Sequence, residues 1–130
     1  FQDFLKKNKK KFDIIFIFEF LEHLSLNERE VLFKYLPKIL KTNGIVFLST
    51  LNRNKLSKFM SINIAENLLK LLPKNTHDPK LFLKPSEIKT LSNKNGLELL
   101  NVQGLSYNPL LKSFRLSEID LINYFATIKN

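Results

Sequence analysis

The apolar positions of the chain change rhythm along its length, and the rhythm names the elements. Phe12-Asp13-Ile14-Ile15-Phe16-Ile17-Phe18 is an almost unbroken apolar run of β-branched and aromatic residues. That composition suits a strand buried on both faces, as in a parallel sheet. Ile45-Val46-Phe47-Leu48 repeats it. Between the two runs, Val31, Leu32, Tyr35, Leu36, Ile39 and Leu40 recur at the spacing of one helical face. Ser25-Leu26-Asn27 offers a cap, and Glu28 and Glu30 sit in the first turn, where the helix dipole favours anions. Pro37 should kink or shorten this helix, and Asn43-Gly44 should stop it. Strand, helix, strand in this order predicts a right-handed βαβ unit and a parallel sheet with helices on its faces.

A second helix is predicted over 55–72. Asn63, Glu66, Asn67 and Lys70 form its narrow polar strip, and Leu56, Met60, Ile64, Leu68 and Leu72 belong to a broad apolar face. A face that wide covers a sheet, closes over an apolar ligand or lies on lipid. Pro73 ends the segment and 74–84 reads as loop. Pro85 can open a helix running to about 94, with Gly96 just past its end. Residues 97–103 read as a strand, Tyr107-Asn108-Pro109 as a loop, and Asp120–Ile128 as the last strand. There are no internal repeats.

Composition narrows the function. A chain of 130 residues, 44% hydrophobic, is one domain at most and has enough apolar residues for a core. Cysteine is absent, which excludes disulfides, thiolate metal sites and Cys nucleophiles, and leans towards an intracellular protein. Only three glycines occur, Gly44, Gly96 and Gly104, so these residues cannot form a glycine-rich phosphate loop. The chain opens on Phe1, and we expect it to be a piece of something longer. Lys and Arg number 21 against 12 Asp and Glu, a net charge of +9. The densest run is Lys6, Lys7, Lys9, Lys10 and Lys11. It reads first as a solvated lead-in, then as a contact for nucleic acid or anionic lipid. Arginine is scarce, so base readout is disfavoured. No apolar stretch approaches the ~20 residues that span a bilayer.

The chemistry gathers after the first strand. Glu19, Glu22 and His23 follow it directly, and ligands bind at the carboxyl ends of strands in open α/β sheets. Were residues 19–23 helical, the three side chains would share one face and could hold a divalent metal. The plainer alternative is turn capping and a solvent-facing strand end. His77-Asp78 is a possible general-base pair, or simply a turn before Pro79. Tyr107 could face a pocket or belong to the core.

Several strings together carry a resemblance. Phe12-Asp13-Ile14-Ile15 followed by Glu19-Phe20-Leu21-Glu22-His23-Leu24 resembles the fourth strand of class I S-adenosylmethionine-dependent methyltransferases. Leu48–Asn54, Leu72–Asp78, Phe82–Glu87 and Gly104–Pro109 narrow it. With them, residues 12–130 resemble the ubiquinone-biosynthesis O-methyltransferases of the UbiG type.

The resemblance implies an α/β fold: the C-terminal half of a Rossmann-like seven-stranded methyltransferase domain, carrying its last four strands, with 1–11 as a basic lead-in. It implies methyl transfer from S-adenosylmethionine to a hydroxyl of a polyprenylated phenol or catechol. It implies a divalent metal, by type magnesium, on Glu19, Glu22 and His23, and a cofactor contact at Phe18, where the family usually has Met. Lys41-Thr42-Asn43-Gly44 replaces the family's Lys-Pro-Gly-Gly turn. His77 is the candidate supporting base. The prenyl substrate implies a protein peripheral to the inner membrane, cytoplasmic or on the matrix side in a eukaryote. Residues 55–72, with Lys55, Lys58, Lys70 and Lys74, would dock on it. Other ubiquinone-biosynthesis proteins are possible partners; nucleic acid is disfavoured. The family's glycine-rich cofactor loop has no counterpart here, so we expect this chain alone to be inactive. The alternatives are a non-catalytic remnant, or a basic module binding a membrane surface or nucleic acid.

Overall fold

The computed structural model describes residues 1–53, 79–108, 113–118 and 123–130. The predicted helix 55–72 and His77 lie outside the described residues. The elements are α1 (Gln2–Lys7), β1 (Phe12–Phe18), α2 (Leu26–Ile39), β2 (Leu40–Leu51), α3 (Pro85–Lys94), β3 (Glu98–Asn108), β4 (Ser113–Ser117) and β5 (Asn123–Lys129). Five strands form one sheet in the order β1-β2-β5-β3-β4. β1 and β2 are parallel, as the βαβ reading expects. The remaining pairs, β2 with β5, β5 with β3 and β3 with β4, are antiparallel.

One face of the sheet holds the core. Ile17, Val46, Leu48, Tyr124, Ala126 and Ile128 pack with Leu32, Phe33 and Leu36 of α2 and Ile88 of α3. α2 starts as predicted. The Ser25 hydroxyl accepts from the Glu28 backbone N–H, and the Glu28 carboxylate accepts from the Ser25 backbone N–H at 2.9 Å. This reciprocal box satisfies two N–H groups a helix start leaves open. Pro37 lies in the last turn and the helix stops two residues later, at Ile39. α3 also follows the prediction, with Pro85 at its start and Gly96 at φ +75° just past its end.

Four expectations need correction. Asn43-Gly44 does not stop a helix. It kinks β2, which already starts at Leu40. Asn43 takes φ +62°, and a Cβ on Gly44 would sit 2.9 Å from the Lys41 carbonyl oxygen and 3.1 Å from that of Phe12. The glycine is there for close approach of backbone. Second, residues 1–7 are more than a lead-in. They include the helix α1, whose Leu5 is buried in the core, while Phe1 meets the Phe20 ring edge-on at 5.6 Å. Third, the described residues carry five strands, one more than expected. β4 went unseen because Ser113-Phe114-Arg115-Leu116-Ser117 has only two apolar residues, and Tyr107 and Asn108 extend β3 to meet it. Fourth, β1 is not buried on both faces. It stands at the sheet edge, and Ile14, Phe16 and Phe18 are half-exposed or more.

Candidate active site at the ends of β1 and β2

β1 and β2 run parallel, so their carboxyl ends lie side by side. Phe18 pairs with Ser49, and the chain then breaks away at Glu19, whose φ of +46° lies in the left-handed region. This sharp exit is held by Ser49. The Glu19 N–H donates to the Ser49 carbonyl at 3.1 Å, and the Ser49 hydroxyl donates to Glu19 Oε1 at 2.7 Å. Residues Leu21–His23 make one short 3-10 turn. It drives Leu21 and Glu22 inward and leaves His23 exposed.

Glu22 is 2% exposed. Its Oε2 accepts from the Thr50 hydroxyl at 2.8 Å. Its Oε1 has no hydrogen-bond partner among the described residues. Consecutive β2 residues therefore hold the two glutamates: Ser49 holds Glu19, and Thr50 holds Glu22. A buried carboxylate with one free oxygen can take a donor or a cation. The three-ligand metal set is nevertheless not assembled. Among the described residues, no three His, Asp or Glu side chains come together as metal ligands. The expected shared face required a regular helix from Glu19. The left-handed residue and the single 3-10 turn instead turn Glu22 inward and His23 outward.

Phe18, the candidate cofactor contact, ends β1 with its ring on the open face of the sheet. It meets Phe125 edge-on at 6.2 Å and tilts against Phe16 at 5.5 Å.

Arg29 organises the other side of the turn. It is buried, and its Nε donates to the Leu21 carbonyl at 3.0 Å while its terminal nitrogen donates to that of Leu81. Burial pulls its pKa below the ordinary arginine value, Arg53 pulls the same way, and Glu87 and Glu22 work against them. An arginine stays cationic through such shifts. The chain leaves β2 at Arg53 and returns beside it. Leu83 donates its N–H to the Leu51 carbonyl at 3.1 Å, and the Tyr124 hydroxyl donates to the Leu83 carbonyl at 3.2 Å. Arg53 pairs with Glu87 of α3. Arg53 and Leu83 thus lie side by side over the end of β2. Between α2 and α3 lies an open cleft of about 450 Å³, lined by Leu26, Asn27, Arg29, Glu30, Leu83 and Glu87.

Sequence reasoning missed Arg29, Ser49 and Thr50 as site residues. Their signal was positional: two hydroxyl residues where a buried strand ends, and an arginine within an otherwise apolar helical face.

Two comparisons place this arrangement. The ubiquinone biosynthesis O-methyltransferase of Pelagibacter ubique is 42% identical over 125 residues, 95% of this chain and 51% of that protein. Its counterpart in Coxiella burnetii is 39% identical over 124 residues, 95% of this chain and 52% of that protein. By sequence the chain is similar to these O-methyltransferases along nearly its whole length. It spans about half the length of the curated relatives it matches. No family model matches it. Among solved structures, a SAM-dependent methyltransferase from Archaeoglobus fulgidus superposes with a TM-score of 0.69 at 15% identity, over 99% of this chain and 64% of that one. Magnesium protoporphyrin IX methyltransferase from Synechocystis, solved with SAH, gives 0.59 at 13% identity, over 97% and 48%. At such identities the likeness is one of fold, and the fold is that of the SAM-dependent methyltransferases.

Proposed function

We propose that this chain is the half of an O-methyltransferase that shapes the acceptor side of the site. The methyl group of S-adenosylmethionine passes to a hydroxyl of a polyprenylated phenol or catechol in ubiquinone biosynthesis. The observation that carries this reading is the 42% identity to the Pelagibacter enzyme across nearly the whole chain. The chemistry is an in-line displacement: the acceptor oxygen bonds to the methyl carbon as the carbon–sulfur bond breaks. The sulfonium leaves as a neutral thioether. Catalysis is largely positioning of oxygen, carbon and sulfur.

In this reading Glu19 and Glu22, fixed by Ser49 and Thr50, stand at the strand ends that face the reacting groups. The free Glu22 oxygen is the acceptor for a donor brought to that point. Phe18 flanks the cofactor. A divalent cation, implied by the resemblance, is given no step here, because its three expected ligands do not converge. His77 keeps its proposed role as supporting base or substrate contact.

The substrate's tail puts the enzyme at a membrane surface, on the cytoplasmic side of the inner membrane in a bacterium or on the matrix side in a eukaryote. Among the described residues no helix is long and apolar enough to cross it. We assign the docking to residues 55–72, and other ubiquinone-biosynthesis proteins are its natural neighbours there. Replacing Leu68 and Leu72 by Ser should weaken liposome binding of the folded protein; unchanged binding discards that part.

The test of the reaction is transfer of labelled methyl to a short-prenyl catechol. It uses this chain alone and this chain assembled with the remaining half of the Pelagibacter enzyme. Labelled ether from the assembly and none from the chain alone is expected. An assembly that binds S-adenosylmethionine and methylates no catechol overturns the reading.

A further inference from the structure

The turn that presents Glu22 and His23 is slight. Leu21–His23 is a single 3-10 turn with no side-chain cap at its start, and the hydrogen bonds of such turns are poorly aligned. The His23 N–H donates to the Phe20 carbonyl and the Leu24 N–H to the Leu21 carbonyl, both at 3.1 Å. The Leu21 carbonyl accepts a second bond, from Arg29 Nε at 3.0 Å. Arg29 is 2% exposed and heads the buried stripe of α2, which continues through Leu32, Phe33, Leu36 and Ile39. An apolar residue would complete that stripe without the cost of burying a charge. The terminal nitrogen of Arg29 donates to the Leu81 carbonyl, 52 positions further along the chain. Two residues after Leu81, Leu83 is bonded to Leu51 of β2 and to the Tyr124 hydroxyl of β5. One buried guanidinium therefore ties the Glu22 turn to a segment that is itself fastened to two strands. The Glu22 side chain is held from the other direction, by Thr50 of β2.

We propose that Arg29 is a positioning residue for methyl transfer: by bridging the Leu21 and Leu81 carbonyls it fixes the backbone that aims Glu22 and His23. The proposal rests on the methyltransferase reading and adds to it a residue that acts only through the turn. The bridge joins two short 3-10 turns, Leu21–His23 and Pro79–Leu81, neither of which can set its own place in the fold. A planar guanidinium holds two acceptors at a fixed separation and direction, which a lysine ammonium on a flexible stem does not. The demand on such a bridge is strict, since a misplacement of about 1 Å around a reaction centre can cost about a hundredfold in rate. The site of the bridge is also reachable. Arg29 lines the open cleft of about 450 Å³ between α2 and α3. With its side chain truncated, a small planar cation can enter from that cleft and stand where the guanidinium stood.

The experiment measures kcat and KM in this chain assembled with the remaining half of the Pelagibacter enzyme, well below the melting temperature. Arg29→Ala and Arg29→Lys are compared with Gly96→Ala, which strains the backbone past the far end of α3 and leaves the turn alone. We expect kcat of Arg29→Ala to fall about tenfold or more, with KM for S-adenosylmethionine unchanged. Arg29→Lys should stay slow, and Gly96→Ala should keep the parent rate. Guanidinium chloride below denaturing concentrations should return most of the lost rate to Arg29→Ala, and urea at the same concentration should not. A kcat for Arg29→Ala equal to the parent's overturns the proposal. So does an equal loss in Gly96→Ala, which would make the effect one of stability. Full activity in Arg29→Lys, or no response to guanidinium, overturns the bridge as its cause. The two readings fail separately. A parent assembly that makes no labelled ether removes the methyltransferase reading and this proposal with it, whereas an active parent with an unimpaired Arg29→Ala removes the role of Arg29 alone.

Discussion

The Thr50 hydroxyl donates to the buried carboxylate of Glu22 at 2.8 Å, although the two residues are 28 positions apart. The other oxygen of Glu22 has no hydrogen-bond partner among the described residues. Thr50→Val keeps the shape and leaves both oxygens buried without a donor. Stability should fall by about 1–3 kcal/mol, the usual cost of stranding a buried polar group. Thr50→Ser should recover most of it. Urea denaturation of the assembled protein measures both, and a valine variant as stable as the parent would remove the role given to Thr50.

Arg29→Met should cost about 1.5–3 kcal/mol, because bonds from a charged donor to the Leu21 and Leu81 carbonyls are lost together. Arg29→Lys should not restore it. A lysine ammonium is a point charge on a flexible stem and lacks the planar fork that bridges two fixed acceptors. The same denaturation series decides this, and full rescue by lysine would mean that charge alone matters.

Acid should loosen α2. The Ser25 hydroxyl, and then the Ser25 backbone N–H, hold the Glu28 carboxyl below its ordinary value of 4.5. A carboxyl depressed by folding contributes stability that is complete above the unfolded value. That contribution is lost as pH falls through the folded one. The melting temperature should therefore decline below about pH 4.5, and Glu28→Gln should flatten that part of the profile. Ser25→Ala should cost about 1 kcal/mol at neutral pH as a lost cap. A Glu28→Gln profile with the parent's slope would show that other carboxyls set the acid limb.

Two glycines should respond differently to alanine. Gly96 sits at φ +75° with nothing within 4 Å of an added Cβ, so Gly96→Ala carries backbone strain alone, about 1–2 kcal/mol. At Gly44 the new Cβ would press on two backbone oxygens, at 2.9 and 3.1 Å, and the strand must shift. Gly44→Ala should be the more damaging. Equal losses in chemical denaturation would show that the β2 kink adapts freely.

Much of the fold was legible because local signals agreed with one another. The apolar run at 12–18, the Ser25 cap and the Pro85 start each appear where the sequence puts them. Other features depended on distant parts of the chain. Leu40 leaves the helix for a strand because Phe12 of β1 is there to pair with it, and Phe33 becomes core because the sheet lies beneath it. The site followed the same division. Glu19, Glu22 and His23 were visible as a motif at a strand end. Their divergence was not, since it depends on one left-handed residue and on hydroxyls 28 to 30 positions away. Ser49 and Thr50 carry no signature of their own until the strands are side by side.

Among the described residues, the β3–β4 hairpin joins the other strands of the sheet only through β5, which is inserted between β3 and β2 although it is made later. Asn130 adds to this closure, donating its backbone N–H to the Gly44 carbonyl and accepting from Asn43. On a ribosome, the β3–β4 hairpin therefore emerges with no place to dock and waits for the residues from 123 onward. A nonsense mutation just before Asn123 would not trim a frayed tail. It would remove the middle strand of the sheet and leave the hairpin as an orphan for cellular proteases.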